Sequence, residues 1–206
     1  MATATVSGGI LAGGSAGGTS YFLGVPYAAA PVGPLRFLPP QPAPAWDGVR
    51  SAVREPPECV QPAPSGLGGI LGSTPELAVS DEGLWICEPG QAAGSHSIGG
   101  HPLSCSEDSL YLNIFVPDDA LRKKGELKPV MFWIHGGAFE TGGGSSPMYD
   151  GIGLARSTGN LVVTVQYRLG CLGFLYKPGL HANLGLQDQI AALEWVHQVH
   201  TPQTRL

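Results

Sequence analysis

The chain has 206 residues, of which 43% are hydrophobic and 13% are charged, and this composition predicts a folded domain with a sizeable core. Its formal net charge of −5 offers no basic surface of the kind that binds nucleic acid, so we expect no nucleic-acid partner. Because no run of about 18 apolar residues occurs, we also expect no membrane-spanning helix.

The first half of the chain is rich in glycine and proline. Between Val6 and Tyr27, short apolar runs separated by glycines predict short strands joined by turns. The proline-rich segment 26–46 predicts an extended coil, because proline lacks the N–H that regular elements need. From Cys59 to Ser106 the pattern is weak, and we expect a long irregular loop with one helical turn near residues 75–84.

The second half of the chain is strongly patterned. Residues 110–116 and the apolar run 129–135 predict strands, and the unbroken hydrophobicity of 129–135 favours burial on both faces of a sheet. Residues 147–157 predict a short helical connection, and 160–168 predict a second buried strand rich in β-branched residues. Apolar residues at helical spacing predict an amphipathic helix over 185–200. Together these elements indicate an α/β fold with a partly parallel sheet.

A candidate site follows the strand predicted at 129–135. There the sequence Trp-Ile-His-Gly-Gly-Ala-Phe leads directly into Gly136 and Gly137. Glycine lets the backbone turn sharply and lets a ligand approach, so N–H groups here can point outward. In α/β-hydrolases such a loop supplies N–H donors to an oxyanion hole, while a plain glycine turn beside a buried His135 would give the same residues.

Several motifs, in the same order along the chain, resemble those of type-B carboxylesterases and cholinesterases. They include Phe-Leu-Gly-Val-Pro-Tyr-Ala at 22–28, Ser-Glu-Asp-Ser-Leu-Tyr-Leu-Asn-Ile at 106–114 and Asn-Leu-Gly-Leu-Gln-Asp-Gln at 183–189. Further matches lie at 31–37, 46–49, 135–139, 167–170, 172–174 and 192–196.

The resemblance implies the N-terminal part of an α/β-hydrolase fold. Its sheet would be mixed and mostly parallel, would begin with an antiparallel hairpin, and would be truncated before the strand that carries the nucleophile. The implied function is that of a serine carboxylic-ester hydrolase acting on a small-molecule ester without a cofactor. The alternative is a non-catalytic, cholinesterase-like binding module of the neuroligin type.

The same resemblance implies roles for the glycine-rich loop. Gly137 and Ala138 match the two oxyanion-hole donors on this loop. Gly136 would shape the turn, and His135 would orient the loop rather than act as a base.

Other matched positions are expected to be structural. The pairs at 167–168 and 188–189 would be buried polar groups that tie strands to the helix. Trp85 lies where cholinesterases hold a ligand-stacking tryptophan, but its neighbours match poorly, and plain packing is the alternative.

The sequence departs from the family where the catalytic triad is expected. A Gly-Glu-Ser-Ala-Gly nucleophile elbow is not found, and neither are the later acid and histidine. We therefore expect a partial domain over residues 1–199 and a divergent tail at 200–206. We also expect that this chain alone does not hydrolyse esters. The missing strand predicts an open apolar edge beside residues 161–167, and with it poor solubility.

Two apparent motifs are expected to be fortuitous. Ser15 fits Gly-x-Ser-x-Gly formally, but an elbow needs a strand before it and a helix after it, so we interpret residues 13–18 as a turn. His197 and His200 have the spacing of a metal-binding pair, but no third ligand is near them in the sequence, and we expect no metal site.

The cysteines leave two interpretations open. The family usually pairs a cysteine after the proline-rich segment with a later one; Cys59 fits the first, and Cys105 or Cys87 could be the second. A Cys59–Cys105 disulfide is therefore a candidate. Reduced thiols in a cytoplasmic protein are the alternative, which we favour because the start of the sequence shows no secretory signal. Cys171 is expected to be a small buried residue.

Overall fold

The computed structural model describes residues 1–61, 79–80, 83–84, 92–96, 102–122 and 127–200. Within them the strands are β1 (Ala2–Val6), β2 (Gly9–Ala16), β3 (Thr19–Pro26), β4 (Val49–Ser51), β5 (Glu58–Cys59), β6 (Val79–Ser80), β7 (Gly83–Leu84), β8 (Ala92–His96), β9 (Pro102–Ser106), β10 (Tyr111–Pro117), β11 (Val130–Ile134) and β12 (Leu161–Val165). The α-helices are α1 (Asp118–Arg122), α2 (Gly151–Thr158), α3 (Gly170–Phe174) and α4 (Leu184–Val199). Short 3-10 helices lie at Gly33–Leu35 and Pro147–Tyr149.

A seven-stranded sheet forms the centre of the described structure, in the order β1-β2-β3-β10-β12-β11 with β4 beside β2. Neighbours from β1 to β12 along this order are antiparallel, whereas β11 and β12 are parallel, as are β2 and β4. The connection from β11 to β12 contains α2, as a parallel crossover requires. The predicted mixed sheet with an N-terminal hairpin is confirmed, although antiparallel pairs outnumber parallel ones among the described strands.

Helices cover both faces of this sheet. Successive side chains of a strand point to opposite faces, so Val162 packs with Ala155 of α2, while Val163 joins Ala192 and Trp195 of α4 in the larger core. The helix predicted at 185–200 is confirmed as α4, and the connection predicted at 147–157 is confirmed as the second 3-10 helix and α2.

The prediction for the strand at 129–135 is wrong in one respect. β11 is not buried on both faces: Met131, Trp133 and Ile134 are 40%, 48% and 39% exposed. The physical reason is its place at the edge of the described sheet. The open apolar edge therefore lies beside β11, and not beside residues 161–167, because β12 sits between β10 and β11 with every residue buried.

The weakly patterned segment 59–106 also differs from expectation. Most of its described residues lie in short strands: β5, β9 and β8 form one small sheet, and β6 pairs with β7. Residues 79–80 and 83–84, within the range predicted as a helical turn, form the antiparallel pair β6–β7 instead; the rest of that range lies outside the described residues. Trp85 and Cys87 lie outside the described residues. Among the described residues, no helix is both long and apolar enough to cross a membrane.

Candidate functional site

The glycine-rich loop begins where β11 ends, and His135 lies beneath it. The buried imidazole stacks on the ring of Tyr167, with ring centroids 4.4 Å apart. The Tyr167 hydroxyl donates to the carbonyl oxygen of His135 at 3.0 Å. His135 Nδ1 lies 2.9 Å from the carbonyl oxygen of Gly136, and since a carbonyl only accepts, this contact requires the proton on Nδ1. Burial lowers the pKa of His135, which favours a neutral ring at pH 7.

The backbone turns tightly after Gly136. Gly137 has a φ of +124°, and Ala138 and Phe139 have left-handed φ values of +56° and +64°. The Gly137 carbonyl accepts from the N–H groups of Glu140 and Thr141, both at 3.0 Å. Left-handed alanine and phenylalanine each cost on the order of 1–3 kcal/mol, and such strain is typical of functional loops.

This turn presents two neighbouring N–H groups, those of Gly137 and Ala138, at the surface of the loop. Among the described residues, no backbone or side-chain acceptor contacts the N–H of Gly137 or of Ala138. Both residues are exposed, so these donors are accessible to a ligand. Two adjacent amide donors suit an oxygen atom that carries negative charge.

A second anchor holds the far side of the turn. The N–H of Gly170, at the start of α3, donates to the carbonyl oxygen of Phe139 at 2.7 Å. The Phe139 ring packs on Phe174 of the same helix, with centroids 4.8 Å apart. The strained residues are therefore held by α3 as well as by β11.

Buried polar side chains support the end of the loop. Gln166 Oε1 accepts from the N–H of Gly144 at 3.0 Å, and Gln166 Nε2 donates to Ser145 Oγ at 3.4 Å. Asn113 Nδ2 donates to Ser145 at 3.1 Å and to Glu55 Oε2 at 2.6 Å. Burial is the largest cause that raises the pKa of Glu55 to about 7.

This polar support was missed by sequence reasoning. Asn113 lies within β10, and Gln166 directly follows β12 inside the apolar run predicted as a strand at 160–168. A polar residue within an apolar run was therefore the available signal for both. Glu55 and Gln61 carry no such signal, because they approach the loop only through the tertiary fold.

The expected structural pair is present and buried. Arg168 donates from Nε and Nη2 to the two carboxylate oxygens of Asp188, at 2.8 and 2.7 Å. The two side chains are 3% and 0% exposed. Arg168 Nη1 also donates to the carbonyl oxygen of Leu38 at 2.8 Å. The pair thus joins the end of β12, helix α4 and the proline-rich segment. Gln189 is also buried, but its Nε2 has no partner within the described part of the chain.

The apparent serine motif lies in a hairpin. Ser15 is exposed near the end of β2, which pairs antiparallel with β3, so a strand follows it where an elbow has a helix. Its hydroxyl lies 3.5 Å from Asp118 Oδ2. Of the two histidines with metal-pair spacing, His200 contacts the carbonyl oxygen of Lys128 through Nε2. The described residues contain no group of three metal-ligating side chains.

Of the disulfide candidates, the structure describes only the Cys59–Cys105 pair. Cys59 and Cys105 are buried but do not form a disulfide. In the parallel β5–β9 pair, Cys105 lies opposite Glu58 and Cys59 opposite Ser106, so the two sulfurs point to opposite faces. Cys171, predicted to be buried, is exposed, because it lies in the first turn of the short helix α3.

Comparisons with known proteins agree on one family. A model of the carboxylesterase family matches residues 1–200. The cocaine esterase of Oryctolagus cuniculus is 41% identical over 187 residues, which are 90% of this chain and 30% of that protein. Liver carboxylesterase 1 of the same species is 44% identical over 179 residues, 85% of this chain and 27% of that protein.

Solved structures give the same result. A PNB esterase superposes with a TM-score of 0.72 at 38% identity, covering 95% of this chain and 34% of that one. A carboxylesterase of Geobacillus stearothermophilus superposes with a TM-score of 0.71 at 38% identity and the same coverage of 95% and 34%. The chain spans between 27% and 30% of the length of the curated relatives named above.

Proposed function

Because the chain belongs to the carboxylesterase family, we propose that it carries the oxyanion-binding loop of a serine hydrolase that acts on small-molecule carboxylic esters. The observation that carries this proposal is the pair of exposed N–H groups on Gly137 and Ala138, which have no acceptor among the described residues. They lie on a strained turn held by β11 and α3.

These donors would act on the transition state of acyl transfer. When a serine oxygen attacks the acyl carbon, the carbonyl π electrons move onto the carbonyl oxygen, which becomes an anion. The N–H groups of Gly137 and Ala138 stabilise that charge, and the carbonyl re-forms as the alcohol leaves with a proton. One such donor is worth roughly 3–4 kcal/mol of transition-state stabilisation.

We further propose that residues 1–206 do not hydrolyse esters by themselves. Attack needs a serine activated by a histidine, with an acid orienting the histidine. Ser15, which alone fits the serine motif, lies in an exposed hairpin beside Asp118. In this proposal the chain is the N-terminal portion of an esterase domain, and its nucleophile would come from sequence outside these residues.

The geometry favours a hydrolase over the binding module that the sequence also allows. A non-catalytic module has no need of strained backbone at two non-glycine residues in succession. The φ values of Ala138 and Phe139, and the unused donors beside them, suit a preorganised anion site.

The experiment uses p-nitrophenyl acetate with two proteins. For the 206-residue chain alone we expect no burst and no turnover. For a chimera in which residues 1–200 replace the matching third of the PNB esterase, we expect turnover, with the unmodified PNB esterase as the reference. A stoichiometric burst from the chain alone would refute the proposed inactivity. A folded chimera without turnover would refute the proposed oxyanion loop.

A further inference from the structure

Gln61 makes an unusual contact with the glycine-rich loop. Its side chain is 8% exposed and lies two residues after β5, 81 positions before Gly142. Gln61 Oε1 accepts from the N–H of Gly142 at 2.7 Å, and Gln61 Nε2 donates to the carbonyl oxygen of Gly142 at 2.9 Å. One amide therefore satisfies both backbone groups of one residue, as a neighbouring strand would.

The amide of Gln61 is itself held in this orientation. Its Nε2 also lies 3.2 Å from the carbonyl oxygen of Cys59 and 3.3 Å from Glu58 Oε2. Three oxygen acceptors thus surround the nitrogen, while the side-chain oxygen meets an N–H donor. A flipped amide would face oxygen with oxygen, so one orientation is strongly preferred.

Gly142 lies directly against the start of the same loop. A Cβ at Gly142 would come within 2.5 Å of the Gly136 carbonyl oxygen and 2.7 Å of His135 Nδ1. The two ends of the segment 136–142 are therefore in contact, and this closed segment includes Gly137 and Ala138. Any displacement of Gly142 changes the space available to Gly136 and to the peptide that follows it.

We infer that Gln61 is a positioning residue for the loop: by pairing with Gly142 it closes the segment 136–142 and fixes the directions of the Gly137 and Ala138 N–H groups. The inference rests on the proposed function for the use of those N–H groups. Gln61 touches neither donor, so it acts through Gly142.

The test uses the 206-residue chain, labelled with ¹⁵N, and three variants. Gln61→Met keeps the length of the side chain, but it cannot donate to the Gly142 carbonyl and offers the Gly142 N–H only a weak thioether acceptor. Gln61→Glu accepts from the Gly142 N–H at any pH but donates to its carbonyl only when protonated. Gln41→Met is the matched control, because the Gln41 side chain is exposed and its one hydrogen bond within the described part of the chain goes to the nearby carbonyl of Pro39.

Amide hydrogen exchange and resonance positions are the readouts, with Val163 in the buried strand β12 as the reference for folding. In the wild-type chain we expect Gly142 to be protected. In Gln61→Met its protection falls about tenfold, the Gly137 and Ala138 resonances shift or broaden, and Val163 is unchanged. Gln41→Met matches the wild type.

Gln61→Glu separates positioning from general stability. At pH 5 we expect the introduced carboxyl to be protonated, because it would be buried beside the side chain of Glu58, and we expect the Gly137 and Ala138 resonances of the wild type. At pH 8 we expect those of Gln61→Met. Because the pKa of Glu55, which supports the end of the loop through Asn113 and Ser145, is raised to about 7, the wild type is measured at both pH values. A change that Gln61→Glu shows and the wild type does not is assigned to residue 61, and this comparison decides the matter if Gln61→Met proves unfolded.

Three outcomes would overturn the inference. These are an unprotected Gly142 beside a protected Val163 in the wild type, unmoved Gly137 and Ala138 resonances in folded Gln61→Met, and a pH-independent Gln61→Glu. An unprotected Val163 in the wild type would overturn the fold on which it depends. No readout involves turnover, so the chimera assay can fail while these results stand.

Discussion

Replacing Gly137 by alanine tests whether the shape of the loop governs its function. A Cβ at Gly137 would lie 2.6 Å from the carbonyl carbon of Thr141 and closer still to its oxygen. These are backbone atoms, so no side-chain rotation relieves the overlap. The φ of +124° adds roughly 1–3 kcal/mol of strain for any residue with a Cβ. The peptide at Gly137 or at Thr141 must therefore move.

Gly136 provides the matched control. A Cβ there has open space, with nothing within 4 Å, and the residue is exposed. Gly136→Ala adds the same methyl group one position earlier without overlap. A difference between the two variants therefore reports the position of the turn and not the loss of a glycine.

The assay measures kcat of the chimera with p-nitrophenyl acetate. Displacing one oxyanion donor costs about 10²–10³ in kcat, and we expect Gly137→Ala to lose that much. Gly136→Ala should stay within about threefold, as is usual for exposed substitutions. In the chain alone, urea unfolding should show a loss of about 1–3 kcal/mol for Gly137→Ala. If Gly137→Ala keeps its kcat, or both variants lose it equally, the reasoning is refuted.

Three further predictions concern the supporting structure. Arg168→Met leaves the buried Asp188 carboxylate without its partner, and urea unfolding should show a loss of about 3–5 kcal/mol; a loss below about 1 kcal/mol would contradict the burial of the pair. Burial raises the pKa of Glu55 from 4.5 to about 7, so the folded state binds a proton that the unfolded chain has released. The resulting stability is complete below pH 4.5 and is lost as the pH rises through 7; Glu55→Gln should flatten this part of the stability profile, and an unchanged profile would exclude the assignment. Burial raises the pKa of Cys59 to about 11, so at pH 8 a chromogenic thiol reagent should label the exposed Cys171 in native protein and Cys59 only after unfolding; equal rates would contradict this.

The fold illustrates what hydrophobic pattern alone can predict. The apolar runs correctly predicted strands near β11 and β12, and the helical spacing predicted α4. Burial of β11 was wrong, because an apolar run shows that a strand has apolar side chains but not where the strand lies in the sheet. That position depends on β12 crossing between β10 and β11, which the sequence does not specify locally.

In the site, too, the features that depend on local sequence were predicted, and those that depend on distant contacts were not. The double glycine after β11 pointed to the loop, because sharp turns need glycine at particular positions. The hydrogen bonds of Gln61 to Gly142 could not be predicted, since they join residues 81 positions apart that only the folded chain brings together. Cys171 was misplaced because α3 is one turn long, and a helix of that length leaves much of its surface exposed.

The most direct test of the central claim is a crystal structure of the chimera with a phosphonate bound to its serine. The phosphonyl oxygen stands for the carbonyl oxygen of the tetrahedral intermediate. We predict that this oxygen lies about 2.7–3.1 Å from the backbone nitrogens of both Gly137 and Ala138. An oxygen bound elsewhere, with both nitrogens beyond about 3.5 Å, would contradict the claim that this loop is the oxyanion site.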